Sequence, residues 1–274
     1  MPIFQSCSDN ILFPKSKLIW LKKYTMRIIH TSDWHLGQTW DRRNRYEEFA
    51  KFLDWMLQTV REQNADVLIV AGDIFDNQTP SPTAQTLYYD FLRRMLQTGC
   101  QTVIIAGNHD SPQLIDAPGG LLTTLQIHVI GEPNIEKELI EIKQEGKTKL
   151  LVAAVPFMRD RNLRQVEVGE SAESREQKSL EGLKQYYLDV CNRAEDRRRS
   201  LNGEDNIPLI ATGHLFVQGG KTSKGVRELY VGTLGDVGAD IFPPNIDYVA
   251  LGHLHVPQKV AGSDFIRYSG SSIP

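Results

Sequence analysis

Apolar runs that end in a glycine followed by a polar residue constrain the fold of this chain more than any other feature. Three of them end at Gly72-Asp73, Gly107-Asn108 and Gly252-His253. A strand that is apolar throughout is buried on both faces, as in parallel sheets whose strands are joined by helices. Ligand-binding residues of such sheets gather at the carboxyl ends of the strands. We therefore expect an α/β protein whose functional residues lie together at one edge of its sheet.

The spacing of apolar residues predicts the other elements. Helices are predicted where apolar residues recur every three or four positions, over residues 45–63, 82–98 and 179–199. Ser81 before Pro82 is typical of a helix start. Strands are predicted over residues 27–30, 66–71, 102–106, 127–130, 207–211 and 247–251, with hairpins within 139–156 and 258–269. Residues 157–176 are expected to form an irregular connection.

Composition excludes several classes of protein. The formal net charge of −3 gives no global basic character, although a local basic groove or bound cations can still hold phosphates. The cysteines are scattered, which argues against a disulfide framework and fits a reducing, cytoplasmic location. No stretch is long and apolar enough to span a membrane. Residues 1–25 lack the order of a signal peptide, so we expect a disordered extension or a misassigned start, followed by one domain over 26–274.

Residue types that bind metals follow five predicted strands. They are Asp33 with His35, Asp73, Asn108 with His109, His214, and His253 with His255. Mixed carboxylate, amide and imidazole ligands suit manganese, iron or zinc. These candidates are too many for one metal with an open position, so we expect two metals that share a carboxylate. Asp33, His35, Asp73 and His255 are assigned to one metal, and Asp73, Asn108, His214 and His253 to the other.

The remaining polar residues near these strand ends are interpreted as catalytic or DNA-contacting groups. His109 is expected to be held as an imidazolium by Asp110 and to donate a proton to a leaving oxygen. Asp76 is interpreted as a loop residue that binds backbone, with a contact to a metal ligand as the alternative. Candidate DNA contacts are Trp34, Gln38, Arg42 and Arg43. Core packing is the simpler interpretation of the tryptophan.

In order and spacing, these motifs resemble the five motifs of calcineurin-like metallophosphoesterases. The residues around them, at 30–37, 70–76, 248–255 and 268–271, are similar to those of bacterial nuclease subunits that work with an SMC-like ATPase. The resemblance covers residues 26–274, with Ser272 in place of a proline. It implies a two-sheet α/β sandwich flanked by helices, with two divalent ions, Mn²⁺ in first place, at the carboxyl ends of the strands.

The resemblance also implies a function. It is that of a double-strand 3′–5′ exonuclease and single-strand endonuclease that processes DNA breaks and hairpins, in a heterotetramer with the ATPase and as a homodimer. Nucleases of this kind continue past residue 274 into a capping domain and a partner-binding segment, which leaves those contacts open. A phosphatase or cyclic-nucleotide phosphodiesterase is one alternative, although Asp76-Asn77 and Asp110-Ser111 stand where protein phosphatases carry arginine. A non-catalytic DNA-tethering module is the other, and the full set of ligand types argues against it.

Overall fold

The computed structural model describes residues 18–20, 26–165, 167–201, 207–217 and 237–273. In chain order, its first half contains β1 (Leu18–Trp20), β2 (Arg27–Thr31), β3 (Thr39–Trp40), β4 (Arg43–Asn44), α1 (Tyr46–Glu62), β5 (Val67–Ala71), α2 (Pro82–Met95), β6 (Gln101–Ile105), α3 (Pro112–Asp116), α4 (Gly119–Thr124) and β7 (Ile127–Ile130). Its second half contains β8 (Leu139–Gln144), β9 (Lys147–Ala153), α5 (Asp160–Leu163), α6 (Ala172–Ser200), β10 (Leu209–His214), β11 (Tyr248–Gly252), β12 (Gln258–Lys259) and β13 (Ile266–Tyr268). Short 3₁₀ turns lie at Leu96–Thr98 and Ala239–Ile241.

The strands form two main sheets. The first has the order β1-β2-β5-β6-β7, and the second has the order β12-β13-β11-β10-β9-β8. Strands β2, β5, β6 and β7 are parallel to one another, as are β9, β10, β11 and β13. The ends of β2, β5, β6, β10 and β11 therefore carry the polar motifs, as the apolar runs predict.

Three layers of buried apolar side chains hold these sheets and helices together. Between the sheets, aliphatic residues such as Val67 and Ile69 of β5 lie in one core with Leu150 and Val152 of β9. On the outer face of the first sheet, α1 and α2 bury their apolar stripes, and α6 does the same on the outer face of the second. The expected two-sheet sandwich flanked by helices is confirmed. Within the described residues, no helix is both long and apolar enough to cross a membrane.

The predicted elements differ from the observed ones mainly where apolar spacing is weak. Helix α6 begins at Ala172, inside the expected connection, because residues 172–178 are almost all polar and show no apolar periodicity. Ser171 caps this helix, since its Oγ accepts a hydrogen bond from Ser174 N at 3.1 Å. Helices α3 and α4 were not predicted, because each is too short to show a period. Strand β1 pairs with β2 in a stretch where no regular structure was expected, and the other residues of 1–25 lie outside the described part of the chain.

Candidate metal centre

The turns after β2 and β5 hold Asp33, His35 and Asp73 in an uncommon backbone conformation. Their φ angles are 53°, 48° and 52°, in the left-handed region that residues other than glycine rarely adopt. Asp33 N donates a hydrogen bond to Gly72 O at 3.0 Å, and His35 N donates one to Asp73 O at 3.0 Å. The two strand ends therefore fix each other, and the surrounding contacts offset the strain of the turns.

Glycines allow the strand ends of the two sheets to meet at this edge. A Cβ atom at Gly107 would lie 2.2 Å from Asp73 Oδ1, and a Cβ atom at Gly252 would lie 1.9 Å from Ala71 O. No side chain fits at either position. The glycines are thus needed for the close approach that brings the motif of β11, in the second sheet, against those of the first.

One group of candidate ligands surrounds His35. Its Nε2 lies 3.2 Å from His255 Nε2 and 3.7 Å from Asp73 Oδ2. Asp33, His35 and His255 each offer one ligand atom within 4.8 Å of the others. The structure therefore brings together the four residues assigned to the first metal.

A second group surrounds Asn108. Its Oδ1 lies 3.0 Å from His214 Nε2 and 3.1 Å from His253 Nδ1. His214 Nε2 also lies 3.2 Å from Asp73 Oδ2, the same oxygen that faces His35. Asp73 thus stands between the two groups, in the position that a bridging carboxylate requires.

The pocket favours positive charge. Asp33 and Asp73 are buried, with 0% and 2% exposure. Burial alone would raise the pKa of Asp73, but the charge of His214 and its hydrogen bond outweigh burial and lower this pKa well below its ordinary value. In the same pair, burial opposes but the Asp73 carboxylate raises the pKa of His214 to about 9. The protonated imidazole therefore supplies the positive charge that the two buried carboxylates demand.

The two histidines after β11 have the opposite tendency. Burial, followed by the charge of His214, lowers the pKa of His253 to about 4. Burial also lowers the pKa of His255. Both rings are thus neutral at pH 7, which is the form of imidazole that binds metals.

The structure contradicts the expected contact between His109 and Asp110. The buried carboxylate of Asp110 accepts hydrogen bonds from three backbone N–H groups, those of Gly107 at 2.8 Å, Phe75 at 2.9 Å and Ile74 at 3.2 Å. His109 instead donates from Nδ1 to Asp76 O at 2.7 Å, and from its backbone N to Asp73 Oδ1 at 2.9 Å. Asp110 therefore shapes the loops of the site and does not orient His109, since its oxygens are already used.

Asp76 contacts two of the site histidines. Its backbone carbonyl holds His109, and its side-chain Oδ1 lies 3.5 Å from His35 Nδ1. The rings of His35 and His109 pack edge to face with their centroids 4.9 Å apart. Asp76 thus takes the alternative role that the sequence left open, a contact to a candidate metal ligand. The signal for it was its place three residues after Asp73 in the second motif.

The four candidate DNA contacts separate into one core residue and three surface residues. Trp34 is 1% exposed, donates from Nε1 to Thr31 Oγ1 at 3.0 Å, and packs against Phe52 and Phe91. Its proposed DNA contact is therefore wrong, because the side chain lies in the core between the first sheet and its helices. Arg42 and Arg43 are exposed, and Gln38 is partly exposed. Trp40, which was not among the candidates, is 68% exposed.

Sequence reasoning also missed the serines that surround Asp33. Ser32 Oγ donates to Asp33 Oδ2 and lies 2.6 Å from Ser269 Oγ. Ser271 Oγ donates to Asp33 O at 3.0 Å. The only signal was the Ser-Gly-Ser sequence at 269–271, which contributed to the resemblance without suggesting a role.

Comparisons with known proteins agree with this geometry. A family model described as calcineurin-like phosphoesterase matches residues 26–257. The chain is 38% identical over 253 residues to the SbcD subunit of the nuclease SbcCD from Escherichia coli K12, which covers 91% of this chain and 61% of that protein. The SbcD subunit from Rhodobacter capsulatus is 36% identical over 260 residues, with 91% and 62% covered, and that from Bacillus subtilis is 35% identical over 250 residues, with 90% and 62% covered.

The chain therefore spans about three fifths of the length of these curated relatives. The resemblance to bacterial nuclease subunits, inferred from the residues around the motifs, is confirmed. The match to the family model covers all five motifs. By fold, motif order and sequence, the chain belongs to the calcineurin-like phosphoesterases.

Proposed function

We propose that the protein is a metal-dependent DNA nuclease, with double-strand 3′–5′ exonuclease and single-strand endonuclease activity. The observation that carries the proposal is the position of Asp73 Oδ2, which lies 3.7 Å from His35 Nε2 and 3.2 Å from His214 Nε2. One carboxylate between two groups of ligand atoms suits a pair of metals that act on a phosphodiester. The relatives named nuclease, at 35–38% identity, support DNA as the substrate.

Two divalent ions fit the residues of this pocket. A phosphoesterase domain of this family implies divalent metals, and oxygen and imidazole ligands suit Mn²⁺. The Nε2 atoms of His35 and His255 lie 3.2 Å apart, and a cation held by both rings would relieve the repulsion between their lone pairs. Asp33, His35, Asp73 and His255 would hold one ion, and Asp73, Asn108, His214 and His253 the other. When bound, the ions would lower the pKa of a water molecule and offset the charge of the phosphate.

His109 is proposed as the general acid. Because its Nδ1–H donates to Asp76 O, the orientation of the ring is fixed and Nε2 remains for the substrate. Its backbone N–H binds Asp73 Oδ1, so the ring is anchored directly to the residue that joins both groups of ligands. From this position, His109 would protonate the leaving 3′ oxygen as the water attacks in line.

Arg42, Arg43 and Gln38 are proposed to contact the DNA backbone. Gln38 N donates to His35 O at 3.0 Å, so the chain turns directly from the ligand group toward the β3–β4 ribbon. The exposed arginines of that ribbon would then neutralise phosphates near the pocket. We also propose an SMC-like ATPase partner, a homodimer within a heterotetramer, and a cytoplasmic role in DNA break and hairpin processing. These follow from relatives that are named as subunits of a complex.

A duplex-end nuclease assay tests the proposal. The protein is incubated with end-labelled duplex DNA and MnCl₂, with EDTA as the control. In parallel, it is incubated with mono- and bis-p-nitrophenyl phosphate. We expect Mn²⁺-dependent release of nucleotides from the duplex and a preference for the diester. A strong preference for the monoester would favour a phosphatase, and DNA binding without any cleavage would favour a tethering module.

A further inference from the structure

The segment Ser269-Gly270-Ser271, which we call the closing loop, follows β13 and lies against the first metal-ligand motif. Ser269 Oγ lies 2.6 Å from Ser32 Oγ, and Ser32 Oγ donates to Asp33 Oδ2. Since Ser32 uses its only proton on the carboxylate, Ser269 is the donor in the first of these bonds. The alternative acceptor for Ser269, Gly270 O, is farther away at 3.4 Å. A hydrogen-bonded relay therefore runs from Ser269 through Ser32 to Asp33.

The closing loop also holds backbone atoms of two motifs. Ser271 Oγ lies 3.0 Å from Asp33 O and 3.1 Å from Ile273 O, and the nearer carbonyl belongs to the strained turn at Asp33. Ser271 N donates to His255 O at 3.1 Å. The loop thus contacts both Asp33 and His255, which are assigned to the same metal. Among the described residues, its hydrogen bonds do not reach Asn108 or His214 of the other group.

Gly270 places the loop in this position. Its φ is +80°, and a Cβ atom there would lie 2.6 Å from Pro257 Cδ and 2.7 Å from Pro257 N. Pro257 is two residues beyond His255, so only a glycine lets the loop lie against the motif after β11. The loop is therefore built for close contact with this motif.

From these contacts we infer that Ser269 and Ser271 are positioning residues that orient Asp33 and His255 toward a single metal ion, an inference that rests on the proposed function. Both oxygens of Asp33 accept protein hydrogen bonds, Oδ2 from Ser32 and Oδ1 from His253 N at 3.0 Å. These bonds leave the carboxylate one orientation with free lone pairs. Groups that orient a ligand in this way typically contribute about 10- to 100-fold to metal affinity.

Mn²⁺ titration of the metal-free protein by calorimetry tests this inference without depending on catalysis. The proteins compared are the wild type, Ser269→Ala and Ser271→Ala. We expect two binding events in the wild type and an affinity lower by about 10-fold at one of them in each variant, with the other unchanged. The matched control is Ser272→Ala, because Ser272 is the next residue, is buried, and has an Oγ without a hydrogen-bond partner among the described residues. Its affinities should equal those of the wild type.

The relay predicts a further result that a general loss of stability would not produce. Ser269 acts through Ser32, so Ser269→Ala should have no additional effect on Mn²⁺ affinity in a Ser32→Ala background. Ser269→Thr keeps the hydroxyl and should restore affinity if the alanine variant is poorly folded. Additive effects in the double variant, or equal affinities in wild type and Ser269→Ala, would overturn the inference. A wild type that binds no Mn²⁺ would instead overturn the proposed function.

Discussion

Replacing Glu138 with glutamine should change how the stability of the protein depends on pH. Glu138 lies just before β8 and is 0% exposed. Its Oε1 accepts hydrogen bonds from the Tyr186 hydroxyl at 2.6 Å and from Asn134 N at 2.7 Å, whereas Oε2 has no partner among the described residues. Burial raises the pKa of this carboxyl to about 7, although both hydrogen bonds act to lower it.

The size of the effect follows from the two pKa values. In the unfolded chain the carboxyl has its ordinary pKa of 4.5. Below this pH both states hold the proton, and the group imposes no penalty. Between pH 4.5 and about 7 the unfolded state loses its proton first, so the free energy of unfolding falls as the pH rises. Across that range the loss amounts to about 3 kcal/mol.

Urea unfolding of the metal-free wild type and Glu138→Gln, from pH 4.5 to pH 8, measures this loss. The glutamine keeps the Oε1 acceptor and has no titrating group, so its stability relative to the wild type should rise by about 3 kcal/mol across the range. Glu136→Gln is the matched control, because Glu136 is exposed and pairs with Arg193 at the surface. A difference between wild type and Glu138→Gln that stays constant with pH would refute the reasoning.

Three other substitutions separate the roles assigned to residues of the site. His109→Leu should lower duplex cleavage by about 10²- to 10⁴-fold while Mn²⁺ binding measured by calorimetry is retained; a loss of Mn²⁺ binding would make His109 a ligand instead. Asp73→Asn should weaken both Mn²⁺-binding events in the same titration, since its Oδ2 faces both groups, and an effect on only one event would exclude a bridging role. Trp34→Ala should lower the free energy of unfolding by about 3–5 kcal/mol in urea, whereas Trp40→Ala, at an exposed position, should leave it within about 0.5 kcal/mol; equal losses would contradict the core position of Trp34.

The candidate ligands could be found from sequence because a parallel sheet has one simple rule. An apolar run buried on both faces must end at the edge where ligands bind, and a polar residue after it has few other reasons to be there. Asp73, Asn108 and His253 were identified in this way, and the structure places their side chains in one pocket. Which sheet contributes which motif also followed from the order of the strands.

The contacts within the turns could not be predicted, because neighbours in sequence need not face the same way. Asp110 follows His109 directly, yet its carboxylate turns inward to the backbone of residues 74, 75 and 107. Trp34 lies between two candidate ligands but points into the core on the other side of the turn. The left-handed angles of Asp33 and His35 set these directions, and they depend on hydrogen bonds to a different strand end.

Anomalous X-ray diffraction from crystals soaked in MnCl₂ tests the central claim most directly. The claim is that this pocket holds two ions that share Asp73. The account predicts two manganese peaks about 3.5–4 Å apart, with Asp73 between them, Asp33, His35 and His255 around one, and Asn108, His214 and His253 around the other. A single peak, or two peaks of which only one contacts Asp73, would contradict it.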